Sequence, residues 1–190
     1  MLESLLTEIR QCTVCEPHLP LGANPVIRAH PAAKILIIGQ APGTKVHNTS
    51  IPWNDASGER LRQWLGLDRE AFYCEGNIAI MPMGLCYPGK GRSGDLPPRK
   101  ECAPLWHAKV LEQLPNRQLT LLIGQYAQHY YLSDKPSTLT ETVQQWQRWA
   151  PSVLPLPHPS PRNTLWLRNH PWFERDIVPY LRQRVKQVLT

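Results

Sequence analysis

Four apolar runs divide the chain, at residues 35–39, 77–81, 119–124 and 153–156. Hydrophobicity that scarcely alternates over four to six residues predicts strands buried on both faces, as in a parallel sheet. Between the runs the apolar period lengthens to that of helices, over residues 58–65, 99–114 and 125–132. Strand and helix therefore alternate, and right-handed crossovers would place helices on both faces of the sheet. The predicted fold class is α/β, a three-layer αβα sandwich around a central four-stranded parallel sheet. Leu2, Leu5, Leu6 and Ile9 add an amphipathic helix over residues 2–11 that runs into Cys12. Pro17, Pro20, Pro25 and Pro31 predict an extended wrap after it. Thr138-Leu139-Thr140-Glu141 reads as a capping box. The last helix opens with Pro171, turning Ile177, Leu181, Val185 and Val188 inward and Arg182, Arg184 and Lys186 outward. With no internal repeat, residues 1–190 are expected to form a single domain.

Charge and cysteine content narrow the class. Lys and Arg number 21 against 15 Asp and Glu, a net charge of +6 that favours a polyanionic partner. No apolar run reaches the roughly 20 residues a bilayer requires, so no membrane role is expected. Five cysteines without a leader segment argue for reduced thiols in the cytoplasm rather than a disulfide framework. Cys12 and Cys15 form a CxxC pair, while Cys86 and Cys102 flank a loop containing Lys90, Arg92, Arg99 and Lys100 among glycines. A CxxC turn and two distant thiolates suit a metal centre, and zinc and a 4Fe–4S cluster both accept that set. In an open parallel sheet, ligands gather at the carboxyl ends of the strands. Two unusual segments leave strands at that edge, Gly39-Gln40-Ala41-Pro42-Gly43 and His158-Pro159-Ser160-Pro161-Arg162-Asn163.

The cysteine spacing resembles that of family 4 uracil-DNA glycosylases, which bind a 4Fe–4S cluster through four such residues. The resemblance implies Cys12, Cys15, Cys86 and Cys102 as ligands of a structural cluster, leaving Cys74 as a core residue. Gly39 to Gly43 is similar to the GEAPG-type motif of the same superfamily, and the match continues through Pro52-Trp53 to Gly58. It implies Trp53 as the ring that stacks on an extruded base, with Gly39 and Ala41 beside it. His158 to Asn163 resembles the HPSP segment of uracil glycosylases generally, and most closely that of the single-strand-selective monofunctional enzymes. It implies His158 as the donor to the departing base, with Ser160, Pro161 and Arg162 entering the DNA. Lys90 and Arg92 are expected to grip phosphates.

The chain departs from the family where the water-activating acid belongs. The resemblance puts that acid at Ala41 in the most familiar enzymes and at Gln40 in family 4, so Gln40 stays in the candidate catalytic set. Asp55 is the nearest substitute, ahead of Glu59, with His47 and Asn48 able to position a water. A base-reading Asn is expected at the end of the second strand; only Asn77 lies near, a few residues early. The expected activity is hydrolysis of the N-glycosidic bond of a deaminated base, uracil first and hypoxanthine or xanthine open, by a monofunctional, monomeric, nucleoid-associated enzyme. The missing acid and Asn also admit a non-catalytic damaged-DNA-binding protein. A nucleotide hydrolase with a zinc clip would require a Walker-type lysine or carboxylate cluster, and the chain has neither.

Overall fold

The computed structural model describes residues 1–190. Its strands in chain order are β1 (Ile35–Ile38), β2 (Ile78–Ile80), β3 (Lys90–Gly91), β4 (Gly94–Asp95), β5 (Leu119–Ile123) and β6 (Val153–Leu156). Four of them form one parallel sheet in the order β2-β1-β5-β6, and β3 and β4 pair as a separate antiparallel hairpin. The four apolar runs are therefore the four sheet strands, and the α/β sandwich predicted from their pattern is the observed fold.

The helices are α1 (Leu2–Arg10), α2 (Thr44–Thr49), α3 (Ala56–Leu65), α4 (Arg69–Phe72), α5 (Ala108–Glu112), α6 (Gln125–Tyr131), α7 (Leu139–Gln144), α8 (Thr164–Asn169) and α9 (Val178–Leu189). Ile35 and Ile37 of β1 face a core built with Leu61, Phe72, Val143, Leu167 and Leu181, from α3, α4, α7, α8 and α9. Leu36 and Ile38 face the opposite core, with Leu2, Leu6 and Ile9 of α1, Val110 of α5 and Ala127 of α6. Because both faces are covered, alternate residues are equally buried and the strands read as continuous hydrophobic runs.

The edges are managed by proline. β6 carries Pro155, which an edge strand tolerates because one side of its backbone needs no ladder partner. On the other edge the proline-rich wrap closes over β2, with Arg28 and Ile80 exchanging both backbone hydrogen bonds at 3.0 and 2.7 Å.

The helix predicted over 99–114 begins later, near Cys102, with a π-wound stretch over Ala103–His107 leading into α5. Pro97 and Pro98 hold the approach extended, and Pro104 fits only a first turn, where its missing N–H is not needed. The last helix likewise starts π-wound over Phe173–Ile177 before α9, and its four predicted inward residues are all buried. Thr138 caps α7 as predicted, its hydroxyl accepting the Glu141 N–H at 3.1 Å. Cys74 is exposed after α4, a correction to its expected core position: the turn that ends that short helix faces outward. No helix is long and apolar enough to cross a membrane.

Candidate active site

The chain runs from β1 to β2 on one side and then crosses to place β5 and β6 on the other. Such a reversal leaves a crevice outside the carboxyl ends of the two strands at the switch, here β1 and β5. An open cleft of about 750 Å³ occupies that position. Gly39 to Gly43 enter it from β1, Pro82 from β2, Gly124 and Gln125 from β5, and His158 from β6. Trp53, Asp55, Lys90, Asp95, Ser160 and Arg162 complete the part of the wall that concerns chemistry.

Trp53 is held in a conformation its own sequence does not favour. Its φ of +60° lies in the left-handed region, uncommon for a bulky residue. Two glycines and an arginine impose it. Gly58 sits so close beneath the Trp53 carbonyl that a Cβ there would stand 1.7 Å from the oxygen. Arg62, only 5 % exposed, donates to the same carbonyl at 3.0 Å. Gly39 lies under the indole, where a Cβ would come within 2.8 Å of Cζ2. Gly39, itself on the cleft wall, thus makes room for the ring. Gly58→Ala is therefore expected to destabilise the fold by about 1–3 kcal/mol through overpacking, outweighing the gain of up to about 1 kcal/mol that alanine brings to a helix. A denaturant midpoint at or above the wild-type value would contradict this account of Trp53.

His158 faces the indole, with ring centroids 5.6 Å apart and planes inclined at 32°. Its Nδ1 accepts the Ser160 N–H at 3.1 Å, which assigns the proton of the neutral ring to Nε2. Asn163 Nδ2 donates to the His158 carbonyl at 2.8 Å, fixing the backbone. Burial disfavours the imidazolium and brings the His158 pKa down to about 4, against the opposing pull of the Asp55 charge. The ring is thus a neutral donor at physiological pH.

Asp55 lines the cleft but also caps α3, its Oδ1 accepting the Gly58 N–H at 2.9 Å. Gln40 and Ala41 lie on the wall as predicted, and the Gln40 carbonyl accepts the Gly84 N–H at 3.0 Å. Ser160 accepts the Arg162 N–H through Oγ at 3.1 Å, forming the turn over Pro161–Asn163. Arg60 of α3 anchors this turn from below at the Ser160 carbonyl, 3.2 Å away. The Arg162 guanidinium crosses the mouth to donate to the Ser93 carbonyl in the hairpin turn. Lys90 lines the cleft from β3, whereas Arg92 is exposed at the hairpin turn, off the wall.

Asn77 is not at the cleft. It precedes β2, at the amino end of the sheet, where its side chain donates to the Ala71 carbonyl at 3.3 Å. Five residue steps separate it from Pro82, roughly 16 Å of extended chain, so it does not reach a base there. Glu59, His47 and Asn48 also lie off the wall. His47 sits at 6.1 Å from the Tyr87 ring, its Nδ1 buried without a partner. Arg99 is engaged by Glu101 at 2.7 Å rather than free for phosphate. The residues that periodicity and motif missed are Asp95, brought in by a hairpin that read as plain loop, and Trp166, whose Nε1 donates to Thr140 at 3.0 Å and closes one wall.

The four predicted cysteine ligands gather away from the cleft. Cys12, Cys15, Cys86 and Cys102 line one small apolar cavity of about 20 Å³, together with Arg99 and Trp106. No three His, Cys, Asp or Glu side chains are drawn together as ligands of a single ion. Cys15 donates to the Glu101 carboxylate at 3.1 Å, and burial first, then that bond, pushes its thiol up to about 11. Trp106 Nε1–H is buried with no hydrogen-bond partner.

A crevice at the switch point, walled by a locked indole and a neutral imidazole donor and rimmed by Lys90 and Arg162, is suited to a planar heterocycle carried on a polyanion. Residues 28–182 match the family model described as the uracil DNA glycosylase superfamily, and the chain belongs to that superfamily, whose members are DNA glycosylases.

Proposed function

We propose that this protein is a monofunctional glycosylase of base excision repair that hydrolyses the N-glycosidic bond of a deaminated base, uracil foremost and hypoxanthine or xanthine next. The observation that carries the reading is the His158 ring, neutral and with its proton on Nε2, facing Trp53 across the cleft. Breaking the glycosidic bond leaves the bonding electron pair on the base. A fixed donor at the base carbonyl stabilises that charge as it develops, without the cost of reorganising water. Stacking on Trp53 contributes about 1–3 kcal/mol, comparable to the few kcal/mol needed to extrude a nucleotide. Because Trp53 is already locked by Gly58, Arg62 and Gly39, little ordering entropy opposes that stacking.

The hairpin and the Ser160–Arg162 turn, on either side of the mouth, would carry the phosphate contacts, with Lys90 and Arg162 as the cleft-side cations. Within the superfamily the cysteines ally the chain with family 4, and the His158 to Asn163 segment with the single-strand-selective enzymes. Cys12, Cys15, Cys86 and Cys102 would hold a 4Fe–4S cluster, whose contribution there is structural: it ties the end of α1 to the loop leading to Cys102. The all-thiol donor set and the unpartnered Trp106 N–H beside it fit a sulfur-rich group. Zinc is the alternative, separated by metal and sulfide analysis. The protein would work as a cytoplasmic monomer on nucleoid DNA.

Single-turnover base release from oligonucleotides carrying uracil, hypoxanthine or xanthine, single-stranded and paired, tests the proposal. Release without strand cleavage supports it and names the base. Tight binding with no release from any substrate would make the protein a damage-binding member of the superfamily. The pH profile adds a second check. With a pKa near 4, His158 stays neutral as pH falls to about 5, so release should show no inflection from this ring between pH 5 and 8. An inflection near 6.5 that vanishes in His158→Gln would mean the ring titrates as free imidazole.

A further inference from the structure

The geometry points to Asp95 as the carboxylate that holds and deprotonates the attacking water, an assignment that rests on the glycosylase reading above. The loop after β1 carries Gln40 and Ala41 and no acid. Tertiary structure supplies one from elsewhere. Asp95 is the last residue of β4, and the hairpin folds over that loop to set Oδ2 3.6 Å from the point where a Cβ on Gly43 would stand. The same cleft is lined by Asp95, Gln40, Trp53 and His158.

Asp95 is also free for the work. The four ion pairs of the molecule use Glu75, Glu101, Asp134 and Asp176. Asp55, the other carboxylate on the wall, commits Oδ1 to capping α3. Lys90, the cross-strand partner of Asp95, and Arg162 flank it and favour its ionised form. Although the residue is exposed as a whole, partial desolvation of the carboxyl pushes its pKa up, and that outweighs the two cations. A raised pKa makes the carboxylate a stronger base toward the water proton. Arg162 has a positioning role here, since its bond to the Ser93 carbonyl ties down the turn two residues before Asp95.

In the step so assigned, the water oxygen bonds to C1′ of the sugar as the C1′–N bond breaks. The bonding pair leaves with the base, His158 Nε2–H meets the charge on its carbonyl oxygen, and the water proton passes to the Asp95 carboxylate and on to solvent. The products are an abasic sugar bearing a hydroxyl on C1′ and the free base, which takes up a proton from solvent.

The test is single-turnover release by wild type, Asp95→Asn and Asp55→Asn on whichever oligonucleotide the wild type turns over, with DNA affinity and thermal unfolding measured beside it. Asp95→Asn is expected to be slower by about 10²- to 10³-fold, with unchanged unfolding and equal or tighter DNA binding, since one negative charge leaves the mouth. Asp55→Asn, in which Asn preserves the helix cap, should be slowed no more than about tenfold. Release by Asp95→Asn within threefold of wild type overturns the assignment, as does a loss of release matched by losses of affinity and stability. Release by the wild type but not by Asp55→Asn, with Asp95→Asn active, moves the role to Asp55. Absence of release by the wild type itself overturns the glycosylase reading, and Asp95 with it.

Discussion

His158→Ala is expected to slow single-turnover base release by about 10²- to 10³-fold while DNA affinity stays within a few-fold. The magnitude is that of removing one preorganised donor from a site where negative charge develops. The selectivity follows from position. His158 lies inside the cleft facing Trp53, whereas the groups at the mouth are Lys90 and Arg162. Truncation also frees the Ser160 N–H from its acceptor, but Arg60 and Asn163 continue to hold the turn through the Ser160 and His158 carbonyls. His158→Gln, which restores an N–H donor on a shorter reach, should recover part of the rate. Equal losses of release and affinity in His158→Ala would make the residue a scaffold for its loop rather than a participant in bond breaking.

Cys86→Ser is expected to abolish the visible absorption and bound iron of the protein and to lower its thermal midpoint steeply. The four cysteines come from the end of α1, the turn that follows it, the segment after β2 and the start of the helix at Cys102. Those segments converge on a small apolar cavity, so a cluster there would bridge parts of the chain that the sheet does not tie together. A group contributing even about 4 kcal/mol would shift the midpoint of a chain this size by roughly 8–16 °C. The cleft stands on β1, β5 and α3, so its wall should outlast the loss at lower temperature. Iron and sulfide analysis of anaerobically prepared protein decides the matter: colourless wild type without iron overturns the cluster, and stoichiometric zinc replaces it with the alternative.

The sheet was legible in the sequence because burial on both faces writes itself as unbroken hydrophobicity, and β1, β2, β5 and β6 each fall within one residue or so of their runs. The Trp53 and His158 segments were legible through the resemblance of two short motifs, one beginning just after β1 and one just after β6, to those of uracil glycosylases. Asn77 misled for a reason of depth: a strand spans the whole layer, so a few residues carry a side chain from the cleft to the opposite edge. Cys74 misled because having no place among the four ligands does not say which way a turn faces.

By itself, the sequence determined the sandwich, the order of its strands along the chain and the two motif segments delivered to the carboxyl edge, since these depend on local periodicity and on motif position. Only the tertiary structure decided the strand order β2-β1-β5-β6, the left-handed locking of Trp53 by Gly58 and Arg62, the tautomer of His158, and the arrival of Asp95 over Gly43. Each of these depends on contacts between segments remote in sequence or on the shape of a turn, and neither leaves a periodic trace in the chain.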